Sequence, residues 1–135
     1  MRARITQAYV DRPQEVSVEI AKPAELLCMM HSRILEHLSL AIQKINEDQN
    51  PHEPIKKSIS IIEEGLQACL NRSEGGDIAD SLDNIYDWAL QQLLLAQLKK
   101  EAVLIEKVRE VFVLLAQAWD GVAHGDTAAV GSAPY

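Results

Sequence analysis

The sequence predicts an all-α protein, an antiparallel four-helix bundle with an extended N-terminal arm and a disordered C-terminal tail. Apolar residues make up 47% of the 135 residues, which is enough to bury one core. Runs of β-branched residues bounded by turns are scarce after residue 20, which argues against a sheet. Four later stretches instead repeat apolar residues at the spacing of one helix face, and the short links between them favour antiparallel neighbours.

The first 22 residues are predicted to form an arm rather than a helix. Between residues 15 and 20, polar and apolar residues alternate, which puts Val16, Val18 and Ile20 on one side of an extended chain. A disordered tail has no need of three apolar residues in register. We therefore expect residues 1–22 to lie on the bundle and to cover a groove.

The first predicted helix begins at Pro23, whose fixed φ suits the first helical position, and it runs to about Asn46. Its apolar face consists of Leu27, Met30, Ile34, Leu38, Ala41 and Ile45. Residues 47–54 contain two prolines among polar side chains, so we expect them to form a loop.

The second predicted helix carries a main apolar stripe with a flatter stripe beside it. The main stripe consists of Ile55, Ile59, Ile62, Leu66 and Cys69 or Leu70, and the flatter one of Ile61, Gly65 and Ala68. Gly75 and Gly76 supply the positive φ values of a tight reversal. Asp77 is then a cap or a first-turn acid of the third helix.

Residues 77–119 contain neither glycine nor proline. A single helix of that length would be about 64 Å long at 1.5 Å per residue and would outreach any neighbour in this chain. We therefore predict a reversal at residues 97–101, the most polar point between two core stripes. These stripes are Ile78, Leu82, Ile85, Ala89, Leu93 and Ala96, then Leu104, Val108, Val111, Leu115, Ala118 and Val122. The bundle spans residues 23–122, and the small, aperiodic residues 123–135 form the predicted disordered tail.

The third and fourth helices carry more apolar surface than one core needs. The additional residues of the third helix are Tyr86, Leu90 and Leu94 on one side and Trp88 and Leu95 on the other. Those of the fourth helix are Ile105, Phe112, Ala116 and Trp119. Packing against two neighbouring helices would explain any one of these residues, but a contiguous patch usually marks a protein partner. The set therefore predicts a groove that binds a partner helix.

Charge and hydropathy exclude several kinds of partner. A formal charge of −7 repels phosphate backbones and anionic lipid heads, so we expect no nucleic acid and no membrane surface. No stretch reaches the 18 or so apolar residues of a membrane span, and Pro13 lies where a secretory signal would be apolar. We expect a cytoplasmic protein with no membrane insertion, in which Cys28 and Cys69 are reduced, buried thiols.

The sequence offers no chemistry for catalysis. His31 and His37 lie about 240° apart on the first helix, and His52 and His124 fall in loops, so no metal site is expected. Phosphate-binding, dinucleotide-binding and nucleophile-elbow motifs are absent. We therefore expect no cofactor and no enzymatic activity.

Several separated blocks of the sequence resemble the FliS family. The most specific block is Gly75-Gly76-Asp77-Ile78-Ala79-x-x-Leu82-x-x-Ile85-Tyr86-Asp87-Trp88, which is similar to the family's GG-x-IA-x-x-L-x-x-LYDY/W signature. The other blocks are Ala8-Tyr9, Ala21-Lys22-Pro23-Ala24-Glu25-Leu26, Ile59-x-Ile61-Ile62-x-x-Gly65-Leu66-x-x-x-Leu70 and Ala118-Trp119. Together they extend, in order, over roughly residues 5 to 122.

The resemblance implies a flagellin-specific export chaperone. Such a protein binds the C-terminal helical segment of flagellin, prevents premature polymerisation and delivers flagellin to the flagellar export gate, while its arm covers part of the groove. The resemblance and the helical patterns together predict partner contacts at Tyr9 in the arm and at Ile55, Ile61, Leu66, Tyr86, Leu94, Ile105 and Phe112 in the groove. An alternative is a helical adaptor that sequesters another protein, such as a transcription or translation factor. Formation of a homodimer through the same groove stays open.

Overall fold

A computed structural model describes residues 23–71, 73, 75–124 and 135. These residues form four helices and no strand, which confirms the predicted fold class. We name the helices α1 (Pro23–Asn46), α2 (His52–Ser60), α3 (Gly76–Lys99) and α4 (Ala102–Ala123). Helix α2 continues directly as a π-helical segment, Ile61–Gln67. The predicted arm lies outside the described residues, as do residues 125–134 of the predicted tail.

The four helices form a closed antiparallel bundle in which each packs against two neighbours. Helix α1 packs against α2 and α4, and α3 packs against the same two helices. The side chain of Gln97, near the end of α3, contacts His52 at the start of α2. Gln67, at the end of the π segment, bonds instead to Asp83 in the first half of α3, as antiparallel neighbours require. Arg109 in the first half of α4 donates to Ser39 in the second half of α1.

The link between α1 and α2 is shorter than predicted. Helix α2 begins at His52, so the predicted loop over residues 47–54 is wrong at its C-terminal end. Pro54 lies in the first turn of α2, where a missing N–H breaks no intrahelical hydrogen bond. The side-chain oxygen of Asn50 accepts a hydrogen bond from the backbone N–H of His52 at 3.1 Å and helps to start the helix.

The π-helical segment is a feature that the sequence did not predict. Its backbone is wider than an α-helix, as the hydrogen bond from Ala68 N–H to the carbonyl of Glu63 at 3.0 Å indicates. Here α1 approaches closely: a Cβ atom added to Gly65 would lie 2.8 Å from the sulfur of Met30. Glycine at position 65 therefore leaves the space that the Met30 side chain occupies.

The two remaining reversals follow the predicted backbone chemistry except at Gly75, where a positive φ was predicted and the φ is −74°. Gly76 has a φ of 60°, which costs glycine little. Asp77 was predicted to be a cap or a first-turn acid of this helix. The N-cap position is held by Gly75, so Asp77 is the first-turn acid. At the other end of α3, Lys100 adopts the left-handed conformation, and its N–H donates to the carbonyl of Ala96 at 2.7 Å. Glu101 is extended and α4 starts at Ala102, so the predicted reversal at residues 97–101 is confirmed.

The core contains one stripe from each helix, but not always the predicted stripe. Its buried members are Leu27, Ile34, Leu38 and Ala41, then Ile55, Ile62, Leu66 and Leu70, then Ala79, Leu82, Tyr86, Ala89, Leu93 and Ala96, and finally Ile105, Val108, Phe112 and Trp119. In α3, Tyr86 is buried and its predicted neighbour Ile85 is only half-buried. In α4 the buried residues are Ile105, Phe112 and Trp119 of the second stripe together with Val108 of the predicted core stripe, and the Phe112 ring packs against Tyr86 of α3.

Candidate partner-binding surface

The residues predicted to contact a partner fall into three groups. Tyr9 lies outside the described residues. Leu94 is 58% exposed, and Ile61 is half-buried. The other five are fully buried in the core of the bundle, namely Ile55, Leu66, Tyr86, Ile105 and Phe112. A partner could contact Ile55, Leu66, Ile105 and Phe112 only after neighbouring helices had moved apart, and Tyr86 is covered by Tyr135. The role of all five in binding stays a prediction.

Exposed large apolar side chains concentrate on α3 and α4. The last two turns of α3 and the first turn of α4 carry Leu94, Leu95, Leu98 and Val103, which are 58%, 39%, 80% and 50% exposed. Leu114, farther along α4, is 66% exposed. Half-buried side chains of the same two helices, Trp88, Leu104 and Leu115, pack against the core beneath them. We call these eight residues the α3–α4 surface.

Contacts with the other two helices show how this surface is oriented. The amide nitrogen of Gln67 donates to carboxylate oxygens of Asp83 at 3.1 Å and Asp87 at 2.7 Å, so these aspartates mark the side of α3 that faces α2. The guanidinium of Arg109 donates to the Ser39 hydroxyl at 3.0 Å and marks the side of α4 that faces α1. At about 100° per residue, the remaining half-buried stripes of the two helices face each other along the α3–α4 seam.

The charges of α3 are polarised along its length. Asp77, Asp80, Asp83 and Asp87 occupy its first half, and Lys99 and Lys100 stand at its end. Acids near a helix N-terminus and lysines near its C-terminus both interact favourably with the helix dipole, which is sufficient to explain this pattern. The consequence for binding is that the most exposed leucines lie beside lysines, whereas the opposite end of the helix is acidic.

Leu98 and Leu114 are among the exposed members of the surface that were missed from the sequence. Leu98 was assigned to the polar reversal, yet it lies four residues after Leu94, the spacing of neighbours on one helix face. Leu114 precedes a predicted core residue, Leu115, and adjacent leucines on a helix point about 100° apart. Apolar side chains flanking a core stripe were therefore the signal that could have identified both.

The described residues contain no group of three or more potential metal ligands. Cys28 and Cys69 are free thiols and only half-buried. Burial raises the pKa of Cys28, and the carboxylates of Asp120 and Glu25 raise it further, so this thiol stays protonated and weakly reactive. Within the same residues, no helix has the length and apolar character needed to span a bilayer.

Comparison with known proteins identifies the family of this chain. The family model described as flagellar protein FliS matches residues 5–126. The flagellar secretion chaperone FliS of Salmonella typhimurium is 31% identical over 119 residues, covering 87% of this chain and 88% of that protein. The flagellar secretion chaperone FliSB of Pseudomonas aeruginosa is 30% identical over 117 residues, covering 82% of this chain and 92% of that protein. FliS of Escherichia coli K12 is 30% identical over 120 residues, with 87% and 88% covered. Because the family match spans almost the whole chain, this protein belongs to the FliS family.

Proposed function

We propose that this protein is a cytoplasmic export chaperone that binds the C-terminal helical segment of flagellin. In this role it prevents premature polymerisation and delivers flagellin to the flagellar type III export gate. Membership of the FliS family and the names of its relatives, flagellar secretion chaperones, support this class of function. The observation that carries the proposal is the exposed apolar area on α3 and α4 of a protein with net charge −7.

The α3–α4 surface has the properties that helix binding requires. Leu94 and Leu98 are spaced by one helical turn on the exposed surface of α3, so an amphipathic helix can lay its apolar face across them. Half-buried Trp88 supplies a broad aromatic side chain on the other side of α3, the side that faces α4. A client segment that orders only when it binds loses part of the contact energy to its own ordering. That loss keeps the affinity compatible with release at the export gate.

The proposal is tested by calorimetric titration of the full chain with the C-terminal helical segment of flagellin. Leu98→Asp and Leu114→Asp each place a carboxylate in the α3–α4 surface, and we expect each to weaken binding at least tenfold, about 1.4 kcal/mol. Both side chains are mostly exposed, so the free energy of unfolding should change by less than about 0.5 kcal/mol.

Met29→Asp is the matched control, since Met29 is 65% exposed but lies on α1. This variant should bind flagellin like the unmodified chain. If the unmodified chain does not bind the segment, the proposed function is wrong. If it binds but all three variants bind equally well, the function stands and the assignment to the α3–α4 surface is wrong.

A further inference from the structure

The ring of Tyr135, the last residue of the sequence, occupies a slot on the bundle. Its hydroxyl lies 2.7 Å from the hydroxyl of Tyr86, a residue of α3 that is 49 positions away in sequence. Its ring meets the indole of Trp119 in α4 edge-on, with the centroids 5.7 Å apart. Cys69, just after the π segment, and Asp83 of α3 are close enough to act on the Tyr135 hydroxyl electrostatically. The direct contacts of Tyr135 thus come from two helices of the bundle, α3 through Tyr86 and α4 through Trp119.

The chemistry of the slot favours a ring that bears a hydroxyl. Tyr86 is completely enclosed when Tyr135 is in place, and its hydroxyl shares a hydrogen bond with the Tyr135 hydroxyl. A phenylalanine ring in the same position could pack against Trp119 but would leave the Tyr86 hydroxyl without that hydrogen bond. The edge of an aromatic ring carries positive partial charge and the indole face negative partial charge, so the T-shaped contact is favourable.

The occupant is not part of the helices that build the slot. Helix α4 ends at Ala123, twelve positions before Tyr135, and Tyr86, Trp119, Cys69 and Asp83 all belong to the bundle. Tyr135 itself is only half-buried. A side chain that is partly exposed and is held by contacts with other elements is replaceable by an equivalent one.

We propose that this slot is a binding site for a tyrosyl side chain, that Tyr135 fills it in cis, and that a tyrosine supplied in trans can take its place. The site is separate from the exposed residues Leu94, Leu95 and Leu98, which lie in the last two turns of α3. A partner that presents an exposed tyrosine would therefore compete with Tyr135 without competing for those leucines.

The test uses the full chain carrying Tyr135→Ala and the peptide of residues 125–135. A Trp88→Phe background leaves Trp119 as the one tryptophan, since the sequence contains two. The peptide should quench or shift Trp119 fluorescence saturably in the Tyr135→Ala chain. With Tyr135 present the apparent affinity should be at least tenfold lower, because the slot is already occupied in cis.

Peptide variants test the preference for a hydroxyl. A peptide with phenylalanine in place of its tyrosine should bind about tenfold more weakly, and one with alanine should give no saturable signal. Tyr135→Phe provides a second protein background that keeps the ring in place; the tyrosine peptide should displace this ring more readily than it displaces Tyr135. Equal binding to chains with and without Tyr135, or no response of Trp119 in either variant, would overturn the proposal.

Discussion

The imidazole of His31 faces the ring of Phe112 across the centre of the bundle, with the ring centroids 5.7 Å apart. His31 is fully buried, its Nδ1 lies 2.8 Å from the carbonyl oxygen of Leu27, and its Nε2 has no hydrogen-bond partner in the described structure. A neutral imidazole with Nδ1 protonated donates to Leu27 and leaves only an acceptor unpaired. Burial lowers the pKa of His31, and the hydrogen bond to Leu27 opposes that shift in part.

Acid should therefore destabilise the fold through His31. The unfolded chain binds a proton on this residue below about pH 6.5, whereas the folded chain resists protonation. Because the pKa is lower in the folded state, the His31 contribution to stability is present above pH 6.5 and is lost as the pH falls below it. Urea unfolding between neutral and mildly acidic pH should show a falling free energy of unfolding.

Two variants isolate the contribution of His31 to this pH dependence. His31→Leu removes both the titration and the unpaired nitrogen, so the slope through this range should flatten while the stability at neutral pH is kept or raised. His37→Gln removes a half-buried histidine of the same helix and should keep most of the slope. An unchanged slope in His31→Leu would contradict the prediction.

Leu94 and Phe112, both predicted as groove residues, should differ sharply in their effect on stability. Phe112→Asp places a carboxylate at a position with 0% exposure and removes a ring that contacts Tyr86 and His31. We expect a loss of about 4 kcal/mol or more, enough to unfold many domains of this size. Leu94→Asp, at 58% exposure, should change the free energy of unfolding by less than about 0.5 kcal/mol.

Chemical denaturation of the two variants with circular dichroism as the readout measures this difference. Similar midpoints for Leu94→Asp and Phe112→Asp would mean that the Phe112 ring is not enclosed as described. If Phe112→Asp unfolds as expected, only Leu94→Asp is suitable for binding experiments, because loss of flagellin binding by an unfolded protein is uninformative.

Gln67 should be sensitive to the introduction of charge. Its side-chain amide donates to the carboxylates of Asp83 and Asp87, which tie the end of the π segment to α3. Gln67→Glu places a third carboxylate against these two and replaces donors by acceptors. We expect a loss of about 1 kcal/mol at low ionic strength that salt partly restores.

Gln91→Glu is the control for the added charge. Gln91 is an exposed residue of α3, the helix that carries Asp83 and Asp87. Thermal melts at low and high salt should separate the two variants. If both lose the same stability and respond alike to salt, general repulsion in an acidic protein accounts for the effect and the local contact does not.

Alkaline pH should destabilise the fold through Tyr86. Burial raises the pKa of Tyr86 from 10.0 to about 12, while the hydrogen bond to Tyr135 lowers it in part. Because the pKa is higher in the folded state, this contribution to stability is complete below pH 10 and is lost as the pH rises to about 12. In a Tyr9→Phe background, phenolate absorbance reports only Tyr86 and Tyr135. As the pH rises, both should ionise together when the fold is lost.

Tyr135→Ala sharpens this experiment, since it uncovers the Tyr86 hydroxyl. In that variant Tyr86 should ionise closer to pH 10 while the helices persist. Ionisation of Tyr86 near pH 10 in a folded chain that retains Tyr135 would show that its hydroxyl is open to solvent, contrary to the structure.

Boundaries of the helices were largely predictable from local sequence. Pro23, Gly76 and the polar residues before Ala102 act through backbone effects confined to a few residues: a fixed φ, a positive φ and an interrupted apolar pattern. The π-helical segment could not be predicted in this way. It brings Gly65 against Met30 of another helix, and no pattern within residues 61–67 encodes that contact.

The candidate surface was predictable as a surplus of apolar residues but not as a set of contacts. In α4, Phe112 was assigned to the outer stripe and Leu115 to the core, whereas Phe112 is fully buried and Leu115 is half-buried. The two positions lie only about 60° apart on the helix, and both stripes are apolar. Hydrophobicity alone cannot choose between them.

The sequence by itself determined four amphipathic helices, their reversals and an excess of apolar side chains on the last two, because periodicity and turn chemistry are properties of single segments. Only the tertiary structure decided which apolar stripe of each helix faces inward. It enclosed His31 and Phe112, left Leu94 and Leu98 exposed, and placed Tyr135 against Tyr86. The physical reason is that burial depends on what the neighbouring helices present, so the rotation of each helix about its own axis is set by packing across the bundle.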